Sequence, residues 1–320
     1  MDLQAFLAEW HNERPTVLVH TSGSTGRPKP MWVEKRRMEA SARLTCDYLG
    51  LHEGDTALLC MSLDYIAGKM MVVRALVRGL QLVTVEPSGE PLKAVSQPLD
   101  FAAMVPLQVW NSLRVAEQRQ RLMDIGQLII GGGAIDDALA AELRLFPHAV
   151  WSTYGMTETL SHIALRRLNG SSASEWYTPL AGVSVSQNED GCLVIDAPAV
   201  HEGALVTNDV AELAADGRFR ILGRRDNVIC SGGIKIQAEE VERLLRSHLH
   251  VPYLISKRPD EKFGEVVVLL TEGSADDARC VAEQVLPKYW CPKAYVKVAH
   301  IPLTETGKPA RKQAELLAAE

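Results

Sequence analysis

Short apolar runs alternate along this chain with longer stretches whose apolar positions recur every three or four residues. Runs at residues 16–19, 56–61, 80–85, 101–105, 127–130 and 149–153 have the length and flanking turns of buried strands. Between them, residues 34–48, 64–77, 107–123 and 136–146 carry helical spacing, the last with Leu139, Leu143 and Phe146 on one face. Strands alternating with helices predict a mainly parallel sheet covered by helices. From 183 to 222 the pattern changes to short strands with Asn, Asp and Gly turns at 187–191 and 215–217, which predicts a smaller antiparallel sheet. After Arg225 a third pattern begins, with helices predicted at 238–248 and 276–285 and strands near 251–256, 265–271 and 295–298. The predicted fold is α/β: a large domain over 1–225, with a mainly parallel sheet and a small antiparallel one, then a small α+β domain over 226–320.

Ahead of the first strand, Leu3, Phe6, Leu7 and Trp10 have helical spacing and are predicted to pack on the body of the protein. Glu9 interrupts that stretch, which lacks the long apolar core of a signal peptide. The longest apolar segment is broken by Lys69, Arg74 and Arg78, so the expectation is a protein that does not insert into membranes. Across all 320 residues the net charge is −6, and with no basic excess to neutralise phosphates, non-specific nucleic-acid binding is excluded. The six cysteines (46, 60, 192, 230, 280 and 291) form no CxxC pair, a pattern that suits reduced thiols in the cytoplasm better than a zinc site or a disulfide framework.

The candidate chemistry begins directly after the first strand. Thr21, Ser22, Gly23, Ser24, Thr25, Gly26 and Lys29 crowd hydroxyls, glycines and a cation into nine residues. Glycine lets the backbone approach an anion, and hydroxyls with free N–H groups supply donors for phosphate oxygens. The Walker A spacing is absent. The full string from His20 to Lys29 resembles the phosphate loop of the adenylate-forming superfamily, which includes acyl-CoA synthetases, peptide-synthetase adenylation domains and luciferases.

Further motifs match that superfamily in its own order. Gly131, Gly132 and Gly133 follow the strand at 127–130, without the third glycine position of a dinucleotide-binding fingerprint, which Asp136 occupies. The resemblance places them along one face of an adenine. Tyr154-Gly155-Met156-Thr157-Glu158 comes next: Tyr154 would stack on the base, Thr157 would donate to the α-phosphate, and Glu158 would ligate Mg²⁺, a hard cation that takes carboxylate oxygen. Thr207-Asn208-Asp209 stands where the superfamily has Thr-Gly-Asp, and a turn tolerating left-handed backbone is expected at Asn208. Asp209 would accept from the ribose hydroxyls and Arg224 would reach the ribose or phosphate. By the same resemblance Asp226 is the hinge of a mobile C-terminal domain. Gly232 and Gly233 lie on the loop that approaches coenzyme A, and Lys308 of Pro302-Leu303-Thr304-Glu305-Thr306-Gly307-Lys308 closes over the adenylation site as a catalytic residue beside Thr157 and Glu158.

Two departures stand out. Pro30 occupies a position where glycine is usual, removing a backbone N–H from the phosphate grip. Typical members also carry a large N-terminal subdomain before the phosphate loop, whereas about twenty residues precede it here. Because the motifs from that loop onward are complete, the expectation is a compact enzyme, with a fragment as the alternative.

The segment from Ser62 to Arg74 resembles the acyl-pocket helix of o-succinylbenzoate–CoA ligases, the menaquinone-pathway members. Gly68 and Arg74 keep that family's spacing, while Tyr65 and Ala67 replace its histidine and serine. The substrate has a second carboxylate that stays anionic, a use for Lys69 or Arg74. The alternative is that both cations decorate the exposed face of an amphipathic helix. YGMTETLSH over 154–162 also looks like this subfamily, with Ser161 facing the acyl group. The resemblance therefore implies an ATP-dependent, AMP-forming carboxylate–CoA ligase using ATP, Mg²⁺ and coenzyme A, with o-succinylbenzoate as acid. A ligase for another acid, an adenylating enzyme that loads a carrier protein, and a non-catalytic acyl-adenylate-binding module are the other readings. Glu158 and Lys308 speak against the last, since binding alone needs neither.

Overall fold

A computed structural model of the chain describes residues 1–20, 30–133, 135, 137–303 and 309–319. The first strand, Thr16–His20, buries Val17 and Val19 and pairs antiparallel with Pro30–Glu34, register His20↔Pro30. The two strands bracket the segment predicted to grip phosphate, and that segment, residues 21–29, lies outside the described residues. Pro30–Glu34 escaped the sequence pattern because its first residue is proline and its Trp32 is exposed, so no apolar alternation announces it.

The main sheet has seven strands. Gln81–Thr84, Thr56–Leu59, Phe101–Met104, Gln127–Ile130 and Ala149–Gly155 run parallel in that spatial order, and His162–Arg167 and Thr178–Pro179 add antiparallel at the edge. The parallel strands are nearly all apolar because helices cover both faces. Helices Lys35–Leu49 and Ile66–Arg78 each end on a left-handed glycine, Gly50 and Gly79. The single helix predicted over 107–123 is two, Pro106–Leu113 and Ala116–Met123, because Val115 takes extended angles between them. A four-stranded antiparallel sheet follows, in the order Ser184–Gln187, Cys192–Asp196, Ala204–Leu213, Phe219–Arg224.

The chain divides into two compact units, one formed by Met1–Ser186, Val194–Leu205 and Leu213–Arg220, the other by Gln187–Leu193, Val206–Glu212 and Ile221–Glu320. In the second unit, Gly264–Thr271 pairs with Tyr253–Asp260, with Val228–Ser231 and, in parallel, with Ala294–Lys297. Its side chains alternate as a period of two demands: Val267 and Leu269 pack under helices Ala238–Leu245 and Ala275–Val285, while Val268 and Leu270 pack under Arg311–Ala319. No helix among the described residues is long and apolar enough to cross a membrane, and all six cysteines are free.

Candidate active site

The motifs expected to face adenine sit at the carboxyl ends of adjacent parallel strands, the position where open α/β sheets bind ligands. Gly131 follows Ile130, its N–H donating to the Met104 carbonyl (3.1 Å), and Gly132 and Gly133 continue from it exposed. On the neighbouring strand, the Thr153 hydroxyl donates to the Ile130 carbonyl (3.3 Å). The Tyr154 ring meets Phe219 edge-on at 5.2 Å and Tyr177 at 5.8 Å, while Tyr177 hydrogen-bonds Ser152. Two neighbouring aromatic rings therefore hold the one predicted to stack on the base.

After Tyr154 the chain does not continue as a plain strand. A register shift at Tyr154/Gly155 leads into a single 3₁₀ turn, Thr157–Thr159. Gly155 is required there by close approach, since a Cβ would lie 2.3 Å from the Ser161 carbonyl oxygen and 2.5 Å from the His162 Cα. We expect Gly155→Ala to destabilise the fold by about 1–3 kcal/mol in chemical denaturation; an unchanged midpoint would mean that the strand end is plastic. Leu160 then takes φ 66°, the positive-φ residue among the described non-glycines, with the Ser161 N–H donating back to the Thr159 carbonyl at 2.7 Å. This is the strained form of the γ-turn. The Thr159 hydroxyl braces it, its one proton lying between the Ser161 carbonyl (2.7 Å) and the Met156 carbonyl (3.0 Å) while its oxygen accepts from the Met156 N–H. Strain of this kind persists only where surroundings over-determine it, and here it aims Ser161. Thr159 and Leu160 were not recognised from sequence, since a turn with a leucine at its centre has no residue-type signal.

Ser161 meets Arg74. The Arg74 Nη2 donates to the Ser161 Oγ at 2.5 Å, and Nη1 lies 3.6 Å from the Met71 sulfur. Arg74 is 2 % exposed, its Nε has no hydrogen-bond partner, and no carboxylate among the described residues pairs with it. Burial holds its pKa at about 10. The reading of Arg74 and Lys69 as surface decoration is thus overturned, since both are buried. Five residues apart on one helix, they point about 140° away from each other. The Lys69 ammonium donates to the Leu18 carbonyl (2.6 Å) and lies 3.8 Å from Glu9, whose other oxygen accepts from the Leu18 N–H (3.3 Å). Helix Leu3–His11 and Lys69 so bond both backbone groups of Leu18, in the strand that leads into the segment predicted to grip phosphate. Tyr65 is 52 % exposed at the N-cap of the Arg74 helix.

Thr157 is buried on the 3₁₀ turn and Glu158 is half-buried, making no ion pair among the described residues. Mg²⁺ keeps several waters and takes one or two carboxylates besides substrate phosphates, so a half-buried carboxylate with no ion pair among the described residues fits it. The described residues hold no cluster of three His, Cys, Asp or Glu.

In the second unit, Arg224 gathers Asp209 (3.3 Å) and Asp226 (3.3 Å). The turn expected at Asn208 is absent: Thr207-Asn208-Asp209 runs inside the strand Ala204–Leu213, where the Thr207 hydroxyl donates to the Leu193 carbonyl (2.8 Å). Asp226 lies on the short 3₁₀ turn Arg225–Asn227. Gly232 and Gly233, at φ 56° and 83°, make the two-residue tip of the hairpin between Val228–Ser231 and Ile234–Gln237, a turn that only positive φ at both positions allows. Lys308 lies outside the described residues, but its flanks do not: Leu303 bridges Pro309, and the Ala310 N–H donates to the Pro302 carbonyl (2.9 Å).

Residues 4–206 match the family of AMP-binding enzymes. The chain belongs to that family. Among solved structures, an acyl-CoA synthetase (AMP-forming)/AMP-acid ligase II-like protein from Dyadobacter fermentans is 32% identical, with 97% of this chain and 91% of that one covered and a TM-score of 0.68. The o-succinylbenzoate CoA synthetase of Bacillus subtilis, solved with its acyl-adenylate intermediate, is 25% identical at a TM-score of 0.77, covering 93% and 68% of the two chains. A 2-succinylbenzoate–CoA ligase of Listeria monocytogenes is 26% identical over 96% of this chain and 71% of its own length. The α/β fold expected of an AMP-binding enzyme, with a parallel-dominated sheet and small antiparallel sheets, is the one observed.

Proposed function

We propose that this AMP-binding enzyme is an AMP-forming carboxylate–CoA ligase whose acid is o-succinylbenzoate, acting in menaquinone biosynthesis in the cytoplasm. The observation that carries the substrate is Arg74, a buried guanidinium with a serine hydroxyl for a partner and no carboxylate among the described residues. Such a cation is stabilised by an anion that arrives with the ligand. The names of the Listeria and Bacillus relatives support the same acid.

In the first half-reaction one substrate carboxylate attacks the α-phosphate of ATP in line, and pyrophosphate leaves. Catalysis is mostly positioning and charge stabilisation. Thr21, Ser22, Gly23, Ser24, Thr25, Gly26 and Lys29 would hold the β- and γ-phosphates. Thr157 and Lys308 would donate to the α-phosphoryl oxygens as charge builds there. Gly131–Gly133 and Tyr154 would enclose the adenine, with Asp209 and Arg224 on the ribose. Glu158 would hold Mg²⁺, which neutralises phosphate charge when bound. Arg74 would keep the second carboxylate in place, with Ser161 lining the acyl site beside it.

In the second half-reaction the thiolate of coenzyme A attacks the acyl carbonyl and AMP leaves. Residues 226–320 would turn about Asp226 as a mobile domain, withdrawing Lys308 and presenting the Gly232-Gly233 hairpin. Proline at 226 would freeze φ and push Arg225 out of helical angles. We therefore expect Asp226→Pro to spare adenylation and block thioester formation in separate half-reaction assays. Loss of adenylation alone would place Asp226 at the nucleotide instead.

Pyrophosphate release from ATP, measured with a panel of mono- and dicarboxylic acids and with or without coenzyme A, tests the whole proposal. o-Succinylbenzoate should give the highest rate and a coenzyme A-dependent thioester. Preference for a monocarboxylate would reject the substrate, release without transfer to coenzyme A would reject the acceptor, and no release with any acid would reject the enzyme.

A further inference from the structure

Behind Arg74 and Ser161 runs a chain of hydrogen bonds that the proposed reaction does not use. Thr45, fully buried on helix Lys35–Leu49, donates its single proton to the Ser41 carbonyl one turn back (3.1 Å). Its oxygen is then left as an acceptor for His162 Nε2 at 3.0 Å. With the Thr45 proton on the Ser41 carbonyl, the ring proton of His162 belongs on Nε2 and Nδ1 is left as an acceptor; a Thr45 hydroxyl donating to Nε2 instead would reverse the tautomer. Nδ1 lies 3.3 Å from the Ser161 Oγ, which therefore donates to it while accepting from Arg74 Nη2 at 2.5 Å. In that tautomer every proton in the chain points one way, from Arg74 through Ser161 and His162 to Thr45 and the Ser41 carbonyl.

The direction has a chemical consequence. With its proton turned to His162, the Ser161 hydroxyl presents lone pairs to its remaining surroundings. A carboxylate beside Ser161 would meet an acceptor, so the guanidinium is the donor left to it. Burial, together with the nearby Arg74 charge, holds the His162 pKa well below its usual value, which agrees with a neutral ring.

We propose that Thr45 and His162 are positioning residues for acid specificity: by fixing the Ser161 proton inward they make Arg74, and not Ser161, the donor to the substrate's second carboxylate. This rests on the reading that such a carboxylate binds at Arg74. Without the orienting acceptor at 45, the imidazole is free to reverse its tautomer, and Ser161 is then free to rotate its proton outward and release Arg74 from its present line.

The test compares wild type, Thr45→Val and Thr45→Ser with o-succinylbenzoate and with a monocarboxylate analogue lacking the second acid. Thr45→Val, nearly isosteric, should raise KM for the dicarboxylate roughly tenfold, a loss on the scale of one unsatisfied buried hydrogen bond. KM for ATP and for the monocarboxylate should stay unchanged, and Thr45→Ser should recover the wild-type value. Nitrogen-15 NMR of the full-length protein, with the His162 signal identified by His162→Gln, should report a neutral ring protonated at Nε2 in the wild type at pH 7. This spectrum needs neither substrate nor a folded Thr45→Val variant. A ring protonated at Nδ1 or at both nitrogens, or a Thr45→Val enzyme with unaltered dicarboxylate KM, overturns the proposal. A wild type that does not prefer the dicarboxylate sinks the substrate reading and this inference with it, whereas preference retained in Thr45→Val sinks the inference alone.

Discussion

Lys308→Ala is expected to slow acyl-adenylate formation by roughly 10²–10³-fold, while supplied acyl-adenylate is still converted to thioester. The ammonium would act only while negative charge develops on the α-phosphoryl oxygens, so its removal costs the first transition state and not the second. The framework on either side of residue 308 supports a positioned rather than a trailing lysine. Leu303 and Pro309 close on each other by an antiparallel bridge. Two residues on, the Arg311 guanidinium makes paired bonds to Glu242 (2.8 and 2.9 Å) and a third to the Ile255 carbonyl (2.7 Å), anchoring the start of the last helix. Pyrophosphate release with substrate acid, and thioester yield from synthetic adenylate, separate the two steps. Equal loss in both would remove Lys308 from the adenylation site.

What the sequence made legible is what local chemistry dictates. The parallel strands were readable as compact apolar runs because both of their faces are covered, and most helices because one face is buried, though Ile66–Arg78 is buried at every position from 68 to 75. The break at Val115 was not readable, since a β-branched residue in a helical pattern is tolerated as often as it interrupts. Asn208 misled for the opposite reason: residue type allows a left-handed turn, but neighbouring strands hold Thr207-Asn208-Asp209 extended. Arg74 and Ser161 were both named from motifs 87 residues apart, and the fold puts them 2.5 Å apart. Of their supports, Thr45 carries no motif, and His162 closes the 154–162 string without being singled out in it. A threonine inside a helix and a histidine at a strand start acquire meaning only through a contact across 117 positions. Lys69, named with Arg74, turns instead toward Glu9 and Leu18, because five residues on a helix do not share a face.

Arg74→Met is expected to make the protein more stable and a worse enzyme. A guanidinium whose pKa falls from 12.5 to about 10 on burial is disfavoured as a cation by roughly 3 kcal/mol. The folded-state pKa lies below the unfolded one, so between about pH 10 and 12.5 the unfolded chain binds more protons and stability rises with pH. Below about pH 10 the group is charged in both states and the penalty is present in full, neutral pH included. Methionine fills similar space, suits the helix interior and brings no charge, so unfolding at pH 7 should cost about 1–3 kcal/mol more than in the wild type. The same change leaves the second carboxylate of the substrate without its donor. Losing one partner of a desolvated charged pair costs about 2–5 kcal/mol, so KM for o-succinylbenzoate should rise roughly tenfold or more with KM for ATP nearly unchanged. A monocarboxylate should respond little to the substitution. Chemical denaturation and steady-state kinetics on one preparation give both readouts. A variant that is less stable than wild type would mean that Arg74 is compensated within the protein. An unaltered KM for the dicarboxylate would mean that the second anion binds elsewhere. Gain in stability together with loss of the dicarboxylate alone is the outcome expected of a cation kept buried for its ligand.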